Sequence, residues 1–103
     1  MSYQISYSPA ARRDLDRIEA EVLSASRDWD TAVKYISDLM DLISSYCECP
    51  LSASPLYFEN GFTGYYYLVF KAYLIFFRVR ENRLLVERIL YGKSDYMRSL
   101  FGG

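Results

Sequence analysis

The sequence predicts an α+β fold: a two-helix hairpin packed on a small, mostly antiparallel four-stranded sheet, in the order β-α-α-β-β-β. Three observations predict it. Residues 3–7 alternate large and polar side chains with period two, as a half-buried strand does. Residues 9–46 carry two apolar stripes at helical spacing. Residues 64–91 form three apolar runs joined by short turns, which favours antiparallel pairing. The length fits one domain, residues 1–103.

Capping signals mark where the two helices begin. The first helix is predicted over residues 9–24, because Ser8 is a good N-cap and the proline after it suits the first helical position. The second is predicted over residues 28–46, with Asp28 or Asp30 as its cap. Its apolar stripe consists of Ala32 or Val33, Ile36, Leu39 with Met40, and Ile43.

A packed loop is predicted between the second helix and the last three strands, over residues 51–64, held down by aromatic side chains. The strands that follow end in a hairpin, residues 73–91, whose turn is Glu81-Asn82, because Asn tolerates the positive φ that such turns need. One short helical turn is predicted over residues 96–101.

The hairpin should have two unlike faces. Alternation places Ile75, Phe77 and Val79 toward the helices, and Leu74, Phe76, Arg78 and Arg80 on the opposite face. The predicted turn sets Arg78 opposite Leu85 and diagonal to Glu87. An internal ion pair explains any single arginine of the hairpin, whereas the cluster as a whole also fits an anionic partner.

Composition limits the chemistry. The chain has no histidine, which excludes Ser-His-Asp and Cys-His nucleophilic sites. The two cysteines, in Cys47-Glu-Cys49, lack further zinc ligands, so we expect reduced thiols, no metal and no cofactor. Without an apolar run of bilayer length or a signal-peptide pattern, the expected location is cytoplasmic.

Charge is distributed unevenly along the chain. Residues 1–63 contain five Lys and Arg against ten Asp and Glu, whereas residues 64–103 contain seven against three, for a net charge of −1 overall. The basic C-terminal part is therefore the candidate surface for an anionic partner.

Three segments resemble the RelE/ParE family of bacterial toxins from type II toxin–antitoxin modules. They are YQISYSPAARRDLDRI at residues 3–18, YLIFFRV at 73–79 and RILYGKSDY at 88–96, in the family's order and across nearly the whole chain. The resemblance implies two helices on a small, mostly antiparallel sheet. It also implies a growth-inhibiting toxin that a cognate antitoxin silences in a hetero-oligomer.

The RelE-like branch of the family implies ribosome-dependent cleavage of mRNA, in which basic residues hold the phosphate and a C-terminal Tyr assists. Lys93 and Tyr96 fall where such enzymes carry an Arg and that Tyr. Leu74 stands where they place an Arg, for which Lys71, Arg78 or Arg80 would have to substitute. The candidate catalytic residues are Lys93, Tyr96, Arg78 and Lys71. The candidate RNA- or partner-binding residues are Arg80, Arg83, Arg88, Tyr91 and Arg98.

The ParE-like branch implies a different target, DNA gyrase, and needs no nuclease site. The strings LIFFRV at residues 74–79 and RILYGK at residues 88–93 are similar to that branch. Tyr91 departs from the family pattern, because many relatives have His at that position. A third alternative is a degenerate, non-toxic relative that only binds an antitoxin. The ribosome with mRNA, or gyrase, is accordingly the expected target, and no membrane is expected.

Overall fold

In a computed structural model, which describes residues 2–102, two long helices lie on one face of a five-stranded sheet. In chain order the elements are β1 (Gln4–Tyr7), α1 (Pro9–Ser26), α2 (Trp29–Ser44), a short 3₁₀ helix (Pro50–Ser52), β2 (Ser54–Phe58), β3 (Gly61–Phe70), β4 (Tyr73–Arg80), β5 (Arg83–Tyr91) and α3 (Tyr96–Phe101). The α+β class, the helical hairpin on a mostly antiparallel sheet and the short C-terminal helix are confirmed.

The sheet has one strand more than predicted. Its order is β1-β5-β4-β3-β2, with β1 parallel to β5 and every other pair antiparallel. Residues 51–64, predicted as a loop, contain β2 and the start of β3. Glu59 and Asn60 turn between these strands with positive φ of 51° and 66°, as in a type I′ hairpin turn. Pro55 argues against a strand in the sequence, but an edge strand such as β2 tolerates it.

The helix ends follow their capping residues. The Ser8 hydroxyl accepts a hydrogen bond from the Ala11 N–H (3.0 Å), which confirms the predicted N-cap. α1 continues two residues beyond its predicted end, to a left-handed cap at Arg27 (φ 55°), and α2 ends two residues before its predicted end. None of the helices within residues 2–102 is long and apolar enough to cross a membrane.

The β4–β5 hairpin has the predicted turn and register, with Arg80 opposite Arg83 and Arg78 opposite Leu85. The positive φ falls on Glu81 (57°), so the prediction that Asn82 would carry it was wrong. The register shifts between Phe76 and Phe77, which pair with Arg88 and Val86, and Glu87 is therefore the extra residue of a β-bulge.

The core lies between the sheet and the two long helices. Ile75 and Phe77 are fully buried there, and Val79 packs against the same cluster, as the alternation predicts. On α2, Ala32 is fully buried and Val33 is 45% exposed, so Ala32 is the stripe residue of that predicted pair. Met40 is 36% exposed, and its assignment to the buried stripe was wrong. The apolar arc of α2 is wider than the part that the sheet and α1 cover.

Candidate functional site

The candidate site is the sheet face turned away from α1 and α2, which we call the open face. One end of it is apolar and the other carries arginines. At the apolar end, Phe76 is fully buried and Leu90 is 6% exposed, because α3 packs over them. Asp95 is the N-cap of α3, and its carboxylate accepts a hydrogen bond from the Arg98 N–H. The α3 residues that close this end are Tyr96, Met97 and Leu100.

Tyr96 lies over the apolar end of the open face. Its ring centroid is 5.4 Å from that of Phe76. Together with Leu56, Tyr67 and Leu74 these two rings line a cavity of about 260 Å³. Leu74 forms part of the wall, and no Lys or Arg among residues 2–102 lines the cavity. The described residues that line this cavity with Tyr96 are therefore apolar or phenolic, and none of them carries a positive charge that could neutralise a phosphate.

Arg78 lies on the same face, nearer the hairpin turn, and is held by an internal partner. Its Nε and Nη2 both donate to one oxygen of Glu87, at 3.1 and 2.6 Å. The guanidinium also lies 5.2 Å from the ring centroid of Tyr65. Burial raises the pKa of Tyr65; Arg78 opposes this rise and Glu87 adds to it. The predicted Arg78–Glu87 pair thus exists, and the bulge at Glu87 helps to position it.

Arg88 is part of a structural ion pair on the side of α1. β1 pairs with β5 only as far as Val86, beyond which α1 covers the free edge of β5. Asp14 accepts the Ile89 N–H (2.9 Å), and Arg17 donates to the Ile89 carbonyl (3.2 Å). Arg88 binds both oxygens of the Asp14 carboxylate, at 2.8 and 3.1 Å. α1 therefore supplies hydrogen-bond partners for the Ile89 N–H and carbonyl at the edge of β5, which a longer β1 would otherwise pair.

Asp14 is the one buried charged residue found within residues 2–102, at 2% exposure. Burial alone would raise the pKa of its carboxyl group, but hydrogen bonds from Arg88, the Ile89 N–H and Arg17 outweigh it and hold the pKa below the ordinary value. The pKa of Arg88 is raised, chiefly by its hydrogen bond to Asp14. Arg88 is therefore charged, and its guanidinium is already bonded to the Asp14 carboxylate.

Lys71 and Lys93 occupy neighbouring turns at the end of the sheet away from the β4–β5 turn. The Gly92 N–H donates to the Ala72 carbonyl (2.8 Å), which ties the two turns together. The Lys71 ammonium lies 4.8 Å from the ring centroid of Tyr35 on α2, so it is on the helix side of the sheet. Lys93 is exposed. Lys71 is therefore separated by the sheet from Arg78 and Tyr96.

The remaining predicted binding residues are exposed and spread over the surface. Arg80 and Arg83 face each other at the β4–β5 turn, where Arg83 Nη1 donates to the Ser6 hydroxyl (2.8 Å). Tyr91 is 44% exposed, with its ring against Tyr73. Arg98 lies on α3.

The structure therefore brings Arg78, Arg88 and Tyr96 to the open face and leaves Lys71 on the helix side. Arg88 lies at the edge of that face next to α1, where Asp14 binds it. The sequence pattern did not single out Asp14. Its signal is its spacing, three residues after Ala11 and four before Ile18, both of which are fully buried. Among residues 2–102, no three His, Cys, Asp or Glu side chains gather into a possible metal site.

A comparison with protein-family models identifies the fold's relatives. Residues 5–96 match the model described as "ParE toxin of type II toxin-antitoxin system, parDE". The chain belongs to the ParE toxin family. The resemblance to RelE/ParE toxins is thereby confirmed, and a search of curated proteins finds no significant match.

Solved structures share the ParE-family fold at low sequence identity. The chromosomal ParDE system from P. aeruginosa matches with a TM-score of 0.73 and 17% identity, covering 87% of this chain and 96% of that one. The RelBE2 toxin–antitoxin complex from Mycobacterium tuberculosis matches with a TM-score of 0.57 and 19% identity, covering 88% and 99%. The E. coli DinJ-YafQ complex matches with a TM-score of 0.53 and 18% identity over both full chains. These similarities establish the fold of this ParE-family chain.

Proposed function

We propose that this ParE-family toxin stops growth by contacting DNA gyrase, and that it does so without cutting RNA. A cognate antitoxin binds it and silences it in a toxin–antitoxin hetero-oligomer in the cytoplasm. The match to the ParE model over residues 5–96 supports the gyrase branch. The geometry of the open face supports it independently.

The observation that carries this proposal is the occupation of Arg78 by Glu87. Attack of a 2′-hydroxyl on phosphate needs positioned cations that neutralise developing charge. Arg78 is bonded through two nitrogens to a carboxylate on its own sheet. The other open-face candidate, Tyr96, borders an apolar cavity whose wall includes Leu74. A phosphate placed in that cavity would meet no Lys or Arg among the described residues that line it.

Ribosome-dependent mRNA cleavage remains the competing hypothesis, since Tyr96 and Arg78 share one face. It requires Arg78 to exchange Glu87 for a phosphate. It also requires Lys93 to supply the cation at Tyr96, because Lys71 lies against Tyr35 on the other side of the sheet. A toxin acting by protein contact has neither requirement.

The test measures both activities of the same protein. Purified toxin is added to a DNA gyrase supercoiling assay, and cellular mRNA is mapped by primer extension after the toxin is induced. We expect loss of supercoiling with intact mRNA, and the Lys93→Ala/Tyr96→Phe double variant should still inhibit gyrase. Toxin premixed with its antitoxin is the control. Normal supercoiling at saturating toxin together with codon-linked cuts would establish cleavage instead. Expression without any growth defect would indicate the degenerate, non-toxic relative.

A further inference from the structure

Two arginines face each other directly at the end of the β4–β5 hairpin. Arg80 and Arg83 are register partners, so their side chains lie on the same face, which is the open face shared by Arg78. Both are exposed. Among the described residues, the Arg83 guanidinium forms one hydrogen bond, to the neutral hydroxyl of Ser6, and the Arg80 guanidinium forms none. No acidic residue within residues 2–102 forms an ion pair with them.

This arrangement opposes folding of the isolated chain. Like charges directly across an antiparallel pair are destabilising, because their Cβ atoms lie only about 5 Å apart. Glu81, in the turn between them, forms no ion pair with either arginine. By contrast, the next arginine along β4, Arg78, has its carboxylate partner in Glu87. The Arg80–Arg83 pair thus lacks the internal compensation that its neighbour has.

We infer that the Arg80–Arg83 pair is the docking point for a carboxylate-bearing segment of the antitoxin. This inference rests on the proposed function, which supplies the antitoxin, and it adds the surface and chemistry of contact. A guanidinium presents a planar fork of donors that fits a carboxylate. Toward the described residues, Arg83 keeps donors free beyond its single bond to Ser6, and the Arg80 side chain forms no hydrogen bond. A carboxylate placed between them removes the repulsion and accepts from both.

An acidic peptide fits this position better than a nucleic acid. The chain has a net charge of −1. The Glu87 carboxylate lies on the same face, where it is paired with Arg78, the residue two before Arg80 on β4. Phosphate contacts dominate nucleic-acid affinity, and two free arginines offer few of them. The Tyr65 ring on this face is covered by Arg78 and offers no open platform for a base.

The test compares an Arg80→Gln/Arg83→Gln double variant with wild type. Each is titrated with the antitoxin encoded beside the toxin gene, and affinity and thermal stability are both measured. At about 0.05 M salt the variant should bind about tenfold or more weakly, because charge-assisted bonds are lost. At about 0.5 M salt the gap should shrink, because exposed charges are then screened. Tm should stay equal or rise, because the repulsion is gone.

An Arg12→Gln/Arg27→Gln double variant is the matched control, since it removes two exposed arginines that form no ion pair with the described residues. It should bind the antitoxin as wild type does. Equal affinities of the two double variants at low salt would overturn the inference. So would a lower Tm of the Arg80/Arg83 variant, which would assign the pair a folding role. An RNA oligonucleotide that displaces the antitoxin from wild type only would assign the pair to nucleic acid. Absence of any complex with wild type would instead contradict the proposed function.

Discussion

Asp14 and Arg88, separated by 74 residues in the chain, are joined by two hydrogen bonds of 2.8 and 3.1 Å where α1 crosses the edge of β5. The same carboxylate accepts the Ile89 N–H and a bond from Arg17. α1 is therefore held to the sheet by polar groups where β1 has already ended, as well as by the apolar packing of Ala11 and Ile18.

Replacing Asp14 should destabilise the fold strongly. In Asp14→Asn the side chain has no charge to offset Arg88, and its amide cannot accept every bond that the carboxylate accepts. Removing one partner of a buried pair costs roughly 3–5 kcal/mol. Because Arg88 keeps some exposure, we expect about 3 kcal/mol in the free energy of unfolding, measured with urea. Asp16→Asn, at an exposed position two residues later, is the control and should change it by less than about 0.5 kcal/mol.

The lowered pKa of Asp14 predicts a loss of stability in acid. A carboxyl group whose pKa is lower in the fold than in the unfolded chain contributes stability above its ordinary pKa, and the contribution is lost as pH falls through the folded value. As pH falls below about 5, toward and through the lowered pKa of Asp14, the wild-type free energy of unfolding should fall more steeply than that of Asp14→Asn. Parallel curves for the two proteins would show that Asp14 does not titrate in this way.

Local rules predicted part of this fold, and long-range pairing decided the rest. The two faces of β4 and the Arg78–Glu87 pair follow from strand alternation and turn length, which act within a few residues. The edge role of Asp14 depends on where β1 stops along β5, a pairing between distant segments. β2 escaped prediction because Pro55 contradicts its local pattern, and only its place at the sheet edge permits it.

The candidate site was likewise predicted in part by local patterns and in part decided by packing between elements. Its arginines and Tyr96 could be assigned to a functional region from the sequence, because strand alternation and the family resemblance both place them there. Their grouping could not be predicted, since it depends on α3 folding over Phe76 and on the helix-side position of Lys71. Both features arise from packing between elements, which a local pattern does not encode.

Tyr96 should act through its ring and not through its hydroxyl. Within residues 2–102 the hydroxyl has no hydrogen-bond partner, whereas the ring packs on Phe76. Tyr96→Phe should therefore keep full growth inhibition and stability. Tyr96→Ala should lower the free energy of unfolding by about 2 kcal/mol, because it removes the ring that packs between α3 and the sheet. Growth curves after induction and urea unfolding measure the two effects. A stable Tyr96→Phe protein that no longer inhibits growth would favour the cleavage hypothesis.

Ser8 links the start of α1 to the bulge that positions Glu87. Its hydroxyl accepts the Ala11 N–H (3.0 Å) and donates to the Glu87 carbonyl (2.7 Å). Ser8→Ala removes both bonds and should cost about 1–2 kcal/mol in urea unfolding. Glycine replaces serine at an N-cap for only a few tenths of a kcal/mol, so Ser8→Gly tests the bond to Glu87. We expect Ser8→Gly to lose nearly as much stability as Ser8→Ala, with exposed Ser24→Ala as the neutral control. A loss confined to Ser8→Ala would mean that Ser8 serves the helix alone.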